Sequence, residues 1–255
     1  MKTLRIGIQI SLAALIVSQV MAQQPAKGAT PSTAPLTIVA GQAIPISTSS
    51  GQDATLVFTG SAVQRMSLLL DNSTYPASCH NCNTVTVTIL KPDGSTLASA
   101  GLSDGMSKRF VGSRMLPLNG TYKIIFHSQG QSAGSVNVTL FLFSDKNVSV
   151  TNGSVQTIGT VTPGQDIRLT FDGTVNQEAS VALSNSTFGS CTGCSSLSVR
   201  LMGPAGTPVG WTKMSEAETS ASLSSVRLPS TGKYTLVIDP QGERTGNVDV
   251  AVSVQ

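Results

Sequence analysis

The chain repeats itself, and the repeat keeps its apolar residues in phase. Gly51-Gln52-Asp53 returns as Gly164-Gln165-Asp166, Phe58 and Gly60 return as Phe171 and Gly173, and Asn72-Ser73-Thr74 returns as Asn185-Ser186-Thr187, all 113 positions later. One residue is lost near the cysteines, and the offset is 112 from there on. Val85, Val87 and Ile89 then become Leu197, Val199 and Leu201, and the run Val136, Val138, Leu140, Leu142 becomes Val248, Val250, Val252, Val254. Alternation of apolar and polar residues is the period of a half-buried antiparallel strand. A slip of one residue would turn every apolar side chain outward. A duplication that preserves phase therefore restricts the fold to one β module used twice.

The clearest repeated turn is Leu116-Pro117-Leu118-Asn119-Gly120-Thr121-Tyr122, which returns as Leu228-Pro229-Ser230-Thr231-Gly232-Lys233-Tyr234. Pro117 and Pro229 fix φ entering the turn, and Gly120 and Gly232 supply a backbone conformation that other residues resist. Tyr122 and Tyr234 each open an alternating run, so their rings are expected in the core. Each hydroxyl is expected on an upstream backbone group, as in the tyrosine corner of immunoglobulin-like sandwiches.

Only 11% of residues are charged, and Ser, Thr, Gly and Val are abundant, which favours strands over helices. Residues 215–225 and their counterparts 103–115 are the best helical candidates, yet neither is periodic. Both read as long loops or irregular edge strands. About eight short strands per module, with turns between them, predict an all-β chain of two tandem antiparallel β-sandwiches.

Residues 1–22 have the pattern of a secretory signal peptide. Lys2 and Arg5 precede a mostly apolar stretch, and Val20-Met21-Ala22 suits cleavage after Ala22. Residues 23–35 read as a flexible linker rich in Gln, Ala, Thr and Pro. The modules follow at 36–145 and 146–255, joined through a polar connection at 145–159. Without Lys2 and Arg5 the chain has 14 basic groups against 13 acidic, which gives no electrostatic case for nucleic acid or anionic membranes. No later segment approaches the length of a membrane span. The expected setting is secreted, periplasmic or cell-surface.

These features together resemble bacterial pre-peptidase C-terminal (PPC) domains. The residues that carry the likeness are Gly51-Gln52-Asp53 before a strand, the Lys91-Pro92-Asp93-Gly94 turn, and the Leu-Pro-x-x-Gly-x-Tyr turn. Gly203-Pro204-Ala205-Gly206 holds the middle position in the second copy. The likeness covers about residues 40–143 and 153–255. It implies jelly-roll-like β-sandwiches, non-catalytic, of a kind appended to secreted peptidases and other exported proteins. Some members bind matrix proteins or polysaccharide. No peptidase domain precedes the modules here, which weighs against a tethered accessory role. A subunit serving a separately encoded exported enzyme is the alternative.

Several short motifs carry possible chemistry. Cys79 and Cys82, and Cys191 and Cys194, form a pair in each module. In an exported chain with an even count they are expected as local disulfides. A β-strand follows each pair, whereas thiol redox catalysis needs a helix N-terminus there. One zinc shared by all four cysteines is the remaining alternative. Gly101-Leu102-Ser103-Asp104-Gly105 matches a nucleophile elbow, but no helix or parallel sheet is expected to lift Ser103. Leu228-Pro229-Ser230-Thr231-Gly232 matches a sortase signal, without the apolar span and basic tail such a signal requires. His80 and His127 are replaced by Gly193 and Asp239 in the second copy and read as polar loop or strand-end residues. Asp53 and Asp166 recur at strand ends as turn-capping carboxylates, with calcium as the functional alternative. Trp211 is the single tryptophan, its counterpart is Ser99, and it reads as core or edge packing or else as a ligand contact. Asn-x-Ser/Thr sequons occur at Asn72, Asn119, Asn137, Asn147, Asn152 and Asn185. The functional expectation is a non-catalytic adhesive or binding protein for an extracellular polysaccharide, envelope component or secreted protein. A hydrolase or thiol oxidoreductase is the contrasting class.

Overall fold

The computed structural model describes residues 34–76, 83–103, 105–130, 132–189, 195–215 and 217–255, all strands and turns with no helix. The signal peptide, most of the linker, His80 and all four cysteines lie outside the described residues. Those described belong to one compact unit, Ser32–Gln255.

The first sandwich is built from β1 (Leu36–Thr37), β2 (Ala43–Thr48), β3 (Asp53–Gly60), β4 (Arg65–Asp71), β5 (Asn83–Leu90), β6 (Thr96–Ser103), β7 (Arg109–Met115), β8 (Gly120–Ser128) and β9 (Gly134–Phe143). Its sheets run β1-β3-β8-β5-β6 and β2-β9-β4-β7. The second sandwich repeats this with β10 (Lys146–Ser149), β11 (Val155–Thr160), β12 (Ile167–Gly173), β13 (Glu178–Ser184), β14 (Ser195–Met202), β15 (Pro208–Ser215), β16 (Ala221–Arg227), β17 (Gly232–Pro240) and β18 (Gly246–Val254). Its sheets run β10-β12-β17-β14-β15 and β11-β18-β13-β16. Without β1 and β10, each sandwich is two four-stranded sheets in the order of a jelly roll.

β1 and β10 are additions to the expected antiparallel pattern, because each pairs parallel with its neighbour, β3 or β12. The polar connection at 145–159 is correspondingly not a plain linker; it contains β10 and the start of β11. Val148 and Val150, on and just after β10, pack only partly buried against the core, and Ile158 of β11 is the stretch's buried core residue, so its apolar signal is too sparse to read as a strand. The two helical candidates resolve as the ends of β6 and β15 and the edge strands β7 and β16. Pairing of both β7 and β16 shifts register at a bulge.

The cores follow the alternation. Leu56, Phe58, Tyr122, Ile124 and Phe126 are buried in the first sandwich, and Leu169, Phe171, Tyr234, Leu236 and Ile238 in the second. Each such side chain contributes on the order of 1.5–3 kcal/mol of burial free energy. Phe58 stacks on Tyr122 with ring centroids 5.2 Å apart, and Phe171 stacks on Tyr234 at 5.7 Å. Both pairs sit directly across neighbouring strands.

The repeated turn behaves as expected in both copies. Tyr122 and Tyr234 are fully buried. The Tyr122 hydroxyl donates to the Leu118 carbonyl at 2.7 Å and accepts from the Leu118 N–H at 3.1 Å. The Tyr234 hydroxyl makes the same pair of bonds with Ser230, at 2.6 and 3.3 Å. Gly120 and Gly232 have φ of +135° and +151°, and a Cβ on either would press against the ring of Pro92 or Pro204. Gly60 and Gly173 recur because a Cβ there would lie 2.5 or 2.4 Å from Cδ1 of the buried Leu116 or Leu228. The Leu, Pro, Gly and Tyr that both turns share are thus committed to folding.

Candidate binding cleft

A polar cleft of about 530 Å³ opens where the sandwiches meet. One wall comes from β4 and β7, with Arg65, Phe110 and Arg114. The other comes from the five-stranded sheet of the second sandwich, with Arg168, Arg200 and Asp239, and from the residues flanking its strands, Asp166 before β12 and Gln241 after β17.

The sandwiches are pinned beside the cleft by charged and polar contacts. Asp145 binds Arg65 Nε at 3.0 Å through one carboxylate oxygen and Arg168 Nε at 2.7 Å through the other. Arg65 also donates to the Ser113 hydroxyl at 3.1 Å. Ser67 lies on the outer face of β4 and is nonetheless buried, because its hydroxyl donates to the Pro163 carbonyl of the second sandwich at 2.7 Å. Lys108 pairs with Glu243 across the same junction.

The acidic groups in the cleft are perturbed. Asp166 is pushed up to about 6, chiefly by burial, then by the Asp239 and Asp145 charges; Arg65 and Arg168 act in the opposite direction. Asp239 is also raised, mainly by burial. Arg168 Nη2 stands 3.8 Å from Asp166, and Arg200 Nη2 stands 3.8 Å from Asp239. Carboxylates facing guanidiniums in a cleft of this size can recognise a polar, charged ligand. The register that sets Asp166 beside Asp239 sets Asp53 beside His127 in the first sandwich, where the carboxylate holds Nδ1 at 2.6 Å. Asp53 is thus paired across the strands with His127, whereas Asp166 faces the like-charged Asp239 and the Arg168 guanidinium.

Other candidate residues resolve individually. Ser103 ends the antiparallel strand β6, Leu102 before it is fully buried, and a turn follows. This is not the strand-to-helix geometry of a nucleophile elbow. Leu228 to Gly232 is a folded corner: Leu228 is buried, the Ser230 carbonyl holds Tyr234, and the Thr231 hydroxyl accepts from the Val175 N–H at 3.0 Å. Trp211 lies on the edge strand β15 with 69% of its surface exposed, which excludes the core position and agrees with the edge one. Among the described residues no group of three or more His, Cys, Asp or Glu is arranged to hold a metal. Among the same residues no helix is long and apolar enough to cross a membrane. The cleft itself escaped the sequence reading, since its arginines are scattered singly through four strands. The available signal was the replacement between copies of Thr55, Thr88 and His127 by Arg168, Arg200 and Asp239.

No protein-family model and no curated protein matches the chain. Solved structures do. Aeromonas hydrophila PliG, a periplasmic inhibitor of g-type lysozyme, is 17% identical with a TM-score of 0.31, covering 43% of this chain and 96% of that one. The CUB1-EGF-CUB2 region of human MASP-1/3 is 9% identical with a TM-score of 0.27, over 83% of this chain and 99% of that one. The tandem CBM22 domains of Paenibacillus barcinonensis Xyn10C are 8% identical with a TM-score of 0.26, over 77% and 82%. None of these likenesses assigns a ligand to this chain.

Proposed function

We propose that this protein is an exported, non-catalytic binding protein made of two PPC-like jelly rolls, acting on an extracellular polymer, an envelope component or another secreted protein. The observation that carries the reading is the charged cleft at the junction. Its Arg168, Arg200 and Asp239 stand where the first sandwich folds with Thr55, Thr88 and His127. Arg168 is engaged by Asp145 at the junction, whereas the Arg200–Asp239 pair, which the first copy does without, is not required by the module's fold. The cysteine pairs are read as structural disulfides that clip the loops before β5 and β14.

The test is retention of the exported chain on a panel of envelope polysaccharides and secreted proteins, with and without calcium. Specific retention of at least one class is expected, with no turnover of what is retained. Loss of all retention in every condition overturns the reading. Titration of the native protein with a thiol reagent should find no reactive cysteine; low-pKa thiols would instead revive the oxidoreductase alternative.

A further inference from the structure

The outer face of the second sandwich's five-stranded sheet carries a cross-strand row that differs from its counterpart in the first. Register sets Arg168, Val237, Arg200 and Trp211 side by side on β12, β17, β14 and β15. The same row in the first sandwich is Thr55, Ile125, Thr88 and Ser99. Both copies keep an apolar residue in the second position, and small hydroxyl side chains suffice around it in the first. In the second copy the flanks are two guanidiniums and the chain's single tryptophan. Val237 is only 4% exposed despite facing outward. The row starts in the cleft, which Arg168 and Arg200 line, and ends on the open indole of Trp211.

We propose that the cleft and this row form one binding track for an acidic polysaccharide, with its anionic groups on the guanidinium of Arg200 and a sugar ring stacked on Trp211. This rests on reading the chain as an exported binding protein. Three strand spacings separate β12 from β15, roughly 14 Å, which suits a short oligosaccharide. Arg200 is half exposed and holds Asp239 only at 3.8 Å, so its fork has room for a second anion. Arg168 is already engaged by Asp145 and serves to place the track rather than to take the ligand. Asp166, Asp239 and Gln241 offer acceptors to sugar hydroxyls, which donate. A nucleic acid lacks that density of hydroxyls.

Because Trp211 is the only tryptophan, its emission reports this site alone. The exported chain is titrated with polygalacturonate, dextran sulfate, neutral dextran and single-stranded DNA, following tryptophan emission and, in parallel, calorimetric binding. At least one anionic polysaccharide should bind with a change in emission, less tightly as salt rises. Arg200→Gln and Trp211→Ala should each weaken calorimetric binding by about tenfold or more. Both sites are exposed, so melting temperatures should hold. Lys123→Gln, the same charge change on the first sandwich, should bind as the parent does. The track is overturned if neither anionic polysaccharide binds, if both variants bind like the parent, or if DNA binds as tightly. Should the retention panel still capture a neutral glycan or a secreted protein in that case, the track falls and the binding-protein reading stands. Capture of nothing overturns both.

Discussion

At Val63 the chain tolerates a conformation its side chain resists. Val63 has φ +63°, and its counterpart Asn176 has φ +73°. Asparagine accepts left-handed backbone readily, whereas a β-branched residue is strained there. Both N–H groups are held in place, Val63 by the Leu116 carbonyl and Asn176 by the Leu228 carbonyl, each at 2.9 Å. The corner imposes the conformation whatever residue occupies it. Val63→Asn should therefore stabilise the protein by about 1 kcal/mol, read as a higher midpoint in urea with unchanged slope, and Asn176→Val should cost a similar amount. No change in either variant would mean that the corner relaxes. The tyrosine hydroxyls give a second prediction at this scale. Tyr122→Phe and Tyr234→Phe keep ring burial and stacking but leave two backbone groups without their partner. Each should cost about 1–2 kcal/mol in the same assay, with folded spectra retained.

Just before β12 and on β17, burial and charge crowding set a pH dependence. Unfolded, Asp166 titrates near its ordinary 3.8; folded, it is pushed up to about 6. Between these values the folded chain holds a proton that the unfolded chain has released. Its contribution to stability is therefore largest at the acid end and declines as pH rises through about 6. Asp239 is shifted in the same direction. With allowance for solvent screening the Asp166 effect is about 1–2 kcal/mol. The stability difference between Asp166→Asn and its parent should grow in the variant's favour from pH 4.5 to 7.5, measured by denaturant titration at each pH. A difference flat with pH would remove Asp166 as the source. Asp93 and Asp249 are lowered by hydrogen bonds, from Ser95 and from Thr157 and Asn185, so they act oppositely and only in stronger acid. The strands that carry these groups were legible in advance, because alternation names the inward residues of β12 and β17. Their outward neighbours were not, since a single Asp or Arg on a polar face carries no periodic signal.

For the whole molecule, two sandwiches with separate cores are joined by few contacts, and Asp145 holds one arginine from each. Its side chain is 12% exposed, so its removal leaves Arg65 and Arg168 facing each other with less solvent than either would have alone. Asp145→Ala should cost about 2 kcal/mol and loosen the coupling, so that calorimetric unfolding broadens or splits. A single sharp transition at the parent temperature would show that Ser67–Pro163 and Lys108–Glu243 suffice.

By itself the sequence determined the duplication, the strand faces and the tyrosine corner, because these rest on local periodicity and on residues that few others can replace. Phe58, Tyr122 and their partners Phe171 and Tyr234 could be placed in the core from phase alone. The jelly-roll strand order, the parallel edge strands and the cleft were decided only in three dimensions. Strand neighbours such as β3 with β8 are set by long-range pairing, for which backbone hydrogen bonds carry no side-chain code. Arg65, Asp166, Arg168, Arg200 and Asp239 lie up to 174 positions apart, and only the closing of two sheets and the docking of two sandwiches bring them to one surface.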